Sequence, residues 1–106
     1  PAEPFATDMD EITGTYICDY YGHAWIRKAK DTYVLTLEHH PNLEGLLTPA
    51  GLTAITCTYN HPMFGKMQFP FVIKDKKVKS FTLYTDSFIE SDGYEFRKIS
   101  PRTKPD

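Results

Sequence analysis

The feature that most constrains this chain is a succession of short runs rich in Thr, Tyr, Phe, Val and Ile, separated by turn residues. Apolar residues alternate with polar ones along several of these runs, which favours pleated strands over helices. The runs recur about every 8–12 residues, a spacing typical of an all-β sandwich or barrel. Eight strands are predicted, over residues 14–20, 23–30, 33–38, 45–48, 53–60, 66–73, 78–85 and 93–98.

Short connections indicate how these strands pair. Asp31-Thr32 and Asp75-Lys76 lie where tight hairpins are expected, so neighbouring strands should be antiparallel. An antiparallel meander of this length closes into a small barrel whose interior is filled by side chains or holds one small ligand. Pro70 predicts a sheet edge or a bulge, because it cannot donate a ladder hydrogen bond.

Helical structure is expected only near the start of the chain, as at most one short turn over residues 7–12 capped by Asp8. The polar, Pro-rich ends predict a linker over residues 1–11 and a tail over 100–106, leaving 12–99 as the barrel domain. The chain begins at Pro1 and its first Met is Met9, so we expect a piece of a longer protein.

Composition excludes several classes of function. A chain of 106 residues with a net charge of -2 is one domain and lacks the basic balance of a nucleic-acid-binding module. No apolar run approaches the roughly 20 residues of a membrane helix, so membrane insertion is not expected. Ser-x-x-Lys, Gly-x-Ser-x-Gly and His-Glu-x-x-His motifs are absent from the sequence, so we predict no catalytic residue in this chain and no cofactor.

The histidines and cysteines offer weaker possibilities. His39 and His40 with Glu38 could ligate a metal, but adjacent residues at a strand end point to opposite sides, so no metal site is predicted. The cluster of lysines from 74 to 79 is expected to be a solvated hairpin tip. Cys18 and Cys57 could form a disulfide between the first and fifth strands, or could be two small buried side chains.

Aromatic residues make up 14% of the chain and are its largest compositional feature. They could pack as an ordinary core, which is the usual role of aromatic side chains in small β domains. They could instead line a ligand cavity. The candidate binding residues under that second hypothesis are Trp25, Tyr59, Phe71, Tyr84 and Phe96.

Several short motifs, in order, resemble a known family. They are the run 12–16 with its Gly-x-Tyr, the Tyr-Gly of 21–22, the runs 33–37, 46–49 and 53–59, the segment 70–78 and the closing run 93–98. Over about residues 12–99 the chain resembles the small lipocalin-like domain of unknown function found C-terminal to serine β-lactamase-related hydrolases and peptidases.

The resemblance implies a non-catalytic accessory barrel whose partner is an upstream catalytic domain. Such a domain would shape the entrance of that active site or make domain or homo-oligomer contacts, and its parent would be periplasmic or extracellular. The alternative is a barrel that binds a small apolar ligand in its own right. The first hypothesis predicts a filled interior with an exposed apolar patch, and the second predicts a cavity of about 300 Å³ or more.

Overall fold

A computed structural model describes residues 4–60, 65–83 and 93–103, and within them it confirms the predicted closed, antiparallel, eight-stranded barrel. Each strand pairs with its neighbour in sequence, and the last strand pairs back with the first. One 3₁₀ turn, Met9–Ile12, precedes the barrel. The strands are β1 Gly14–Cys18, β2 Gly22–Ala29, β3 Thr32–Leu37, β4 His40–Pro49, β5 Ala54–Tyr59, β6 Lys66–Lys74, β7 Lys77–Leu83 and β8 Tyr94–Ser100.

The largest difference from the predicted boundaries is in β4. The sequence predicts a strand over 45–48 preceded by a turn at 40–42, whereas the structure extends the strand back to His40. Residues 40–42 are all exposed, so they carry no apolar alternation by which a sequence pattern could identify a strand. The last two residues of the predicted strand 78–85 lie outside the described residues, and its described part ends at Leu83.

Two hairpin turns confirm the meander. Asp75 and Lys76 connect β6 to β7 with φ of 54° and 63°, the left-handed geometry at both positions that matches the twist of the flanking strands. Between β2 and β3 the turn residues are Lys30 and Asp31, one residue earlier than predicted. Lys30 takes the left-handed conformation there, with φ of 58°.

Pro70 is not at a sheet edge, because the barrel is closed. It is exposed and pairs with Ala54 of β5. Pairing of β6 with β7 begins one residue later, at Phe71. Pro70 therefore lies just outside this ladder, where its missing N–H costs no hydrogen bond to β7. The bulge in this strand pair lies between Val72 and Ile73.

The Gly-x-Tyr motif closes the barrel seam for two physical reasons. Gly14 has φ of 144°, and a Cβ there would lie 2.3 Å from the carbonyl oxygen of Ser100, so only glycine lets β1 approach the end of β8. Tyr16 is fully buried, and its hydroxyl donates a 2.7 Å hydrogen bond to the carbonyl of Ile12. The motif therefore joins the two ends of the sheet and anchors the 3₁₀ turn.

The segment before β1 covers one end of the barrel, which we call the N-terminal end. The amide of Ala6 donates to the carbonyl of Leu52 at 2.8 Å, and the hydroxyl of Thr7 donates to the carbonyl of Lys76 at 2.7 Å. Phe5 packs edge-on against Phe71, with ring centroids 6.0 Å apart. The packed unit therefore begins before residue 12, where the sequence places the end of a linker.

The predicted cap of this segment is confirmed. Asp8 is the N-cap residue of the 3₁₀ turn, and its carboxylate accepts a 2.9 Å hydrogen bond from the amide of Asp10. The tail after β8 also contacts the barrel, because the hydroxyl of Thr15 donates to the carbonyl of Arg102 at 2.7 Å.

Candidate functional site

Two of the predicted binding residues, Phe71 and Phe96, belong to a packed stack in the barrel interior. Phe81 lies between them, with its ring centroid 5.3 Å from that of Phe71 and 5.0 Å from that of Phe96. Tyr16 and Phe69 contact the same ring. All five side chains are buried, so aromatic packing fills this part of the interior.

Tyr59 lies inward near the end of β5 and is half-buried. Its ring packs over Gly45, where an added Cβ would lie 3.4 Å from the Tyr59 ring and 2.3 Å from Sγ of Cys57. Burial raises the pKa of the Tyr59 hydroxyl, and it raises the pKa of the Cys57 thiol to about 12. A thiol so strongly protonated at neutral pH is a packing group and a poor nucleophile.

Trp25 lies on the outer face of the barrel. The buried positions of β2 are Ala24 and Ile26, and Trp25 points to the opposite side between them. Its ring stacks on His23 with centroids 5.8 Å apart and an interplanar angle of 11°. The structure therefore separates Trp25 from Phe71 and Phe96, with which the cavity hypothesis groups it. Tyr84 lies outside the described residues.

The end of the barrel opposite the N-terminal segment carries three tyrosines, and we call it the tyrosine end. Tyr20 and Tyr21 occupy the turn between β1 and β2, and Tyr94 begins β8. The ring of Tyr94 meets both edge-on, at 5.8 Å from Tyr20 and 4.7 Å from Tyr21. Tyr20 is 83% exposed, which is unusual for so large a side chain in contact with a second ring.

A surface depression of about 520 Å³ lies against Tyr20 and Tyr94. The buried residue Cys18 borders it, and so do charged residues of both signs. Arg97 and Asp19 form an ion pair across it at 3.4 Å. The lining residues are Cys18, Asp19, Tyr20, Gly93, Tyr94, Glu95 and Arg97.

The chemistry of this depression combines aromatic rings with charged groups of both signs. Aromatic faces and edges bury apolar groups at low conformational cost, and a polar rim orients whatever binds. The ion pair between Arg97 and Asp19 is exposed, so its charges can be shared with a partner at little cost. Beside the depression, burial and then the neighbouring Tyr94, with which it shares a hydrogen bond, raise the pKa of Tyr21.

Sequence reasoning did not select this tyrosine cluster (Tyr20, Tyr21 and Tyr94). It assigned Tyr20 to a strand and Tyr21 to the break after it. A usable signal was nevertheless present, because two adjacent tyrosines before a glycine put large aromatic rings into a turn, where burial of both is difficult.

The structure also bears on the possible disulfide and on the possible metal site. Cys18 and Cys57 are both free and buried. Glu38 accepts hydrogen bonds from the backbone amide of His23 at 2.8 Å and from its Nδ1 at 2.9 Å, and these contacts lower the pKa of the carboxyl. Across the described ranges, no three His, Cys, Asp or Glu side chains are grouped so that they could hold a metal ion.

Comparison with known proteins adds no further assignment. Neither the family models nor the curated proteins nor the solved structures compared with this chain gave a match. In the part of the chain that the structure describes, no helix has the length and apolar character needed to cross a membrane.

Proposed function

We propose that this chain is a non-catalytic accessory domain that docks, through its tyrosine cluster, on the catalytic domain of a serine β-lactamase-related hydrolase. The observation that carries the proposal is the exposure of Tyr20, which is 83% accessible although it packs against Tyr94. Exposed aromatic anchors beside a polar rim are typical of protein interfaces. The choice of partner rests on the family resemblance of the sequence.

The packed interior supports docking over enclosure of a ligand. Phe71, Phe81 and Phe96 stack in the positions where a hollow barrel would leave space. Packing around Phe81 favours interaction through the surface, and the tyrosine end offers the largest exposed aromatic side chain of the described residues. Asp19, Glu95 and Arg97 supply charges of both signs around it.

The first test is whether a hydrolase domain accompanies this barrel in its full-length protein. A Ser-x-x-Lys motif upstream of Pro1 is the expected finding. In that protein, Tyr20→Ser should change turnover, substrate range or oligomeric state in the same direction as removal of the barrel. Leu52→Ser is the matched control, because Leu52 is 50% exposed but lies at the N-terminal end.

Two results would reject the proposal. One is a full-length protein without any such catalytic domain. The other is a hydrolase whose turnover, substrate range and assembly are the same with the barrel, without it, and with Tyr20→Ser.

A second candidate function is binding of a small apolar molecule, and the depression of about 520 Å³ favours it. This volume lies within the range of about 300–1,000 Å³ that is usual for ligand sites. The site under this hypothesis is the tyrosine end, with Tyr20 and Tyr94 as lining residues, and Trp25 is a poor reporter because it stacks on His23 on the outer face.

The appropriate experiment is an NMR titration of the chain with a panel of apolar ligands, monitored at Tyr20, Tyr94 and Arg97. Saturable shifts confined to these residues, lost in Tyr94→Ser, would support ligand binding. An absence of saturable shifts across the panel, with no change in melting temperature, would reject it and leave docking as the function to test.

A further inference from the structure

The second notable depression lies at the N-terminal end, where β7 and β8 separate. Pairing between these strands runs from Leu83↔Tyr94 to Ser80↔Arg97. Beyond that point Lys77 pairs with β6 and Lys98 pairs with β1. The strands thus part around a notch of about 520 Å³, lined by Asp10, Glu11, Thr13, Lys77, Val78, Lys79, Lys98, Ile99, Ser100 and Pro101.

The charges around the notch are unequal. Lys77, Lys79 and Lys98 contribute three ammonium groups, against the carboxylates of Asp10 and Glu11. Asp10 already binds elsewhere, since its Oδ1 lies 3.1 Å from Nζ of Lys28 and accepts a hydrogen bond from the hydroxyl of Tyr33.

Neither Lys77 nor Lys79 forms an ion pair within residues 4–60, 65–83 and 93–103. The notch is therefore a locally positive surface on a chain whose net charge is -2. This local excess of charge is what an anion would meet first.

Lys98 is the least ordinary of the three lysines. Its side chain is half-buried, and Nζ donates a 2.6 Å hydrogen bond to the carbonyl of Glu11. An ammonium group has three donors, so this bond leaves two for a ligand. Burial lowers the pKa of Lys98, the nearby carboxylate of Glu11 opposes that shift, and the charge of Lys77 adds to it. A bound anion would favour the charged ammonium group, as Glu11 does.

We propose that this notch binds the phosphate group of a small phosphorylated molecule. Lys98 would donate from the inner wall, while Lys77 and Lys79 would approach the phosphate oxygens from β7. Ile99 and Pro101 form an apolar shoulder beside the ammonium groups, and the volume exceeds that of a phosphate alone, so an organic substituent fits next to the anion. This site is separate from the tyrosine end and does not depend on the function proposed for it.

The experiment is an NMR titration of the chain with phenyl phosphate, inorganic phosphate and, at matched ionic strength, sodium chloride. Phenyl phosphate should give saturable shifts at Thr13, Lys79 and Ile99, and inorganic phosphate should bind the same residues more weakly. Binding of both with equal affinity would limit the site to the bare anion and overturn the assignment of an organic substituent.

The test variant is Lys77→Gln/Lys79→Gln, which removes two exposed ammonium groups and should weaken phenyl phosphate binding about tenfold or more. Its control is Lys30→Gln/Lys66→Gln, which changes net charge equally at exposed lysines outside the notch. Lys98→Met is a second variant in which the inner donor alone is lost.

Three outcomes would overturn the proposal. They are equal weakening by the control pair, equal shifts with sodium chloride, and an absence of saturable shifts with either phosphate. Each would show that the lysines act only as a diffuse positive surface.

Discussion

The two ends of the barrel are built differently, although the same eight strands supply both. At the N-terminal end, a segment of the chain crosses the barrel and bonds to the turns between strands. At the tyrosine end, aromatic side chains from a turn and from β8 lie partly exposed beside a depression. The N-terminal end is therefore closed by hydrogen bonds between distant residues, whereas the tyrosine end leaves aromatic rings partly exposed.

The contrast is also visible in how deeply the inward side chains are buried. Ile12 is fully buried and its carbonyl accepts from Tyr16, so the N-terminal end continues the core. Tyr59 and Met67, which lie inward near the other end, are only partly buried. We therefore expect substitutions at the N-terminal end to lower stability more than substitutions at the tyrosine end.

The largest expected effect is that of Ile12→Ala, which leaves a cavity under the 3₁₀ turn. Its cost should be about 2–5 kcal/mol in the free energy of unfolding, measured by urea denaturation. Met67→Ala, at the tyrosine end, should cost about 1–2 kcal/mol because part of that side chain is already in water. Equal costs would remove the distinction between the ends.

A smaller effect is expected from Gly45→Ala, which tests how tightly the interior is packed near Tyr59. The new Cβ would lie 2.3 Å from Sγ of Cys57, so the Cys57 side chain or the backbone at residue 45 must move. The free energy of unfolding should fall by about 1–3 kcal/mol. Gly51→Ala is the control, since its nearest atom would be 3.9 Å away, and it should change stability by less than about 0.5 kcal/mol. A neutral Gly45→Ala would reveal spare volume inside the barrel.

The next comparison removes one hydroxyl at each end. Tyr16→Phe leaves the carbonyl of Ile12 without its partner in a buried site, and should cost about 1–2 kcal/mol. Tyr94→Phe removes a hydroxyl that shares a hydrogen bond with Tyr21 at the partly exposed tyrosine end. Water can replace that bond, so the substitution should cost less than about 0.5 kcal/mol. Thermal unfolding of both variants measures the difference, and a reversed order would contradict it.

The smallest effects concern acid pH. Hydrogen bonding from Tyr33 and then from Lys28 lowers the pKa of Asp10 below 3.8. A carboxyl with a lowered folded pKa contributes stability above its unfolded pKa and loses it as pH falls through the folded pKa. Tyr33→Phe should therefore be less stable than the parent near neutral pH, and the gap should narrow below pH 3.8.

The tyrosine end has a matched carboxyl for this test. His23 lowers the pKa of Glu38 below 4.5, through its backbone amide first and its side chain second. The difference in stability between the parent and Glu38→Gln should begin to narrow at a higher pH than the difference between the parent and Tyr33→Phe. The reason is that the unfolded pKa of Glu38 is 4.5, whereas that of Asp10 is 3.8. Denaturant titrations from pH 7 to pH 2 measure the difference in free energy of unfolding between the parent and each variant. A difference that grows in acid would contradict the prediction.

Much of the architecture was predictable because its causes are local. Period-two alternation in runs such as 33–37 identifies strands, and Asp75-Lys76 identifies a hairpin, from a few adjacent residues. Asp8 was identifiable as a cap for the same reason. The extension of β4 to His40 was not, because its exposed residues carry no hydrophobic pattern.

The candidate site was less predictable, because it depends on which face of each strand turns inward. Trp25 and Ile26 are adjacent, and only the closed barrel decides that Ile26 is interior and that Trp25 faces out. Of the residues predicted to line a cavity, Phe71 and Phe96 lie close together, but they pack on either side of Phe81 in a stack.

The all-β class, the order of the strands and the Asp75-Lys76 hairpin follow from neighbouring residues, so the amino-acid sequence encodes them locally. The closure of each end of the barrel depends instead on contacts between distant residues. The bond from Thr7 to Lys76 spans 69 residues and the bond from Lys98 to Glu11 spans 87. Contacts of that separation form only once the ring of strands has closed, so no local pattern encodes them.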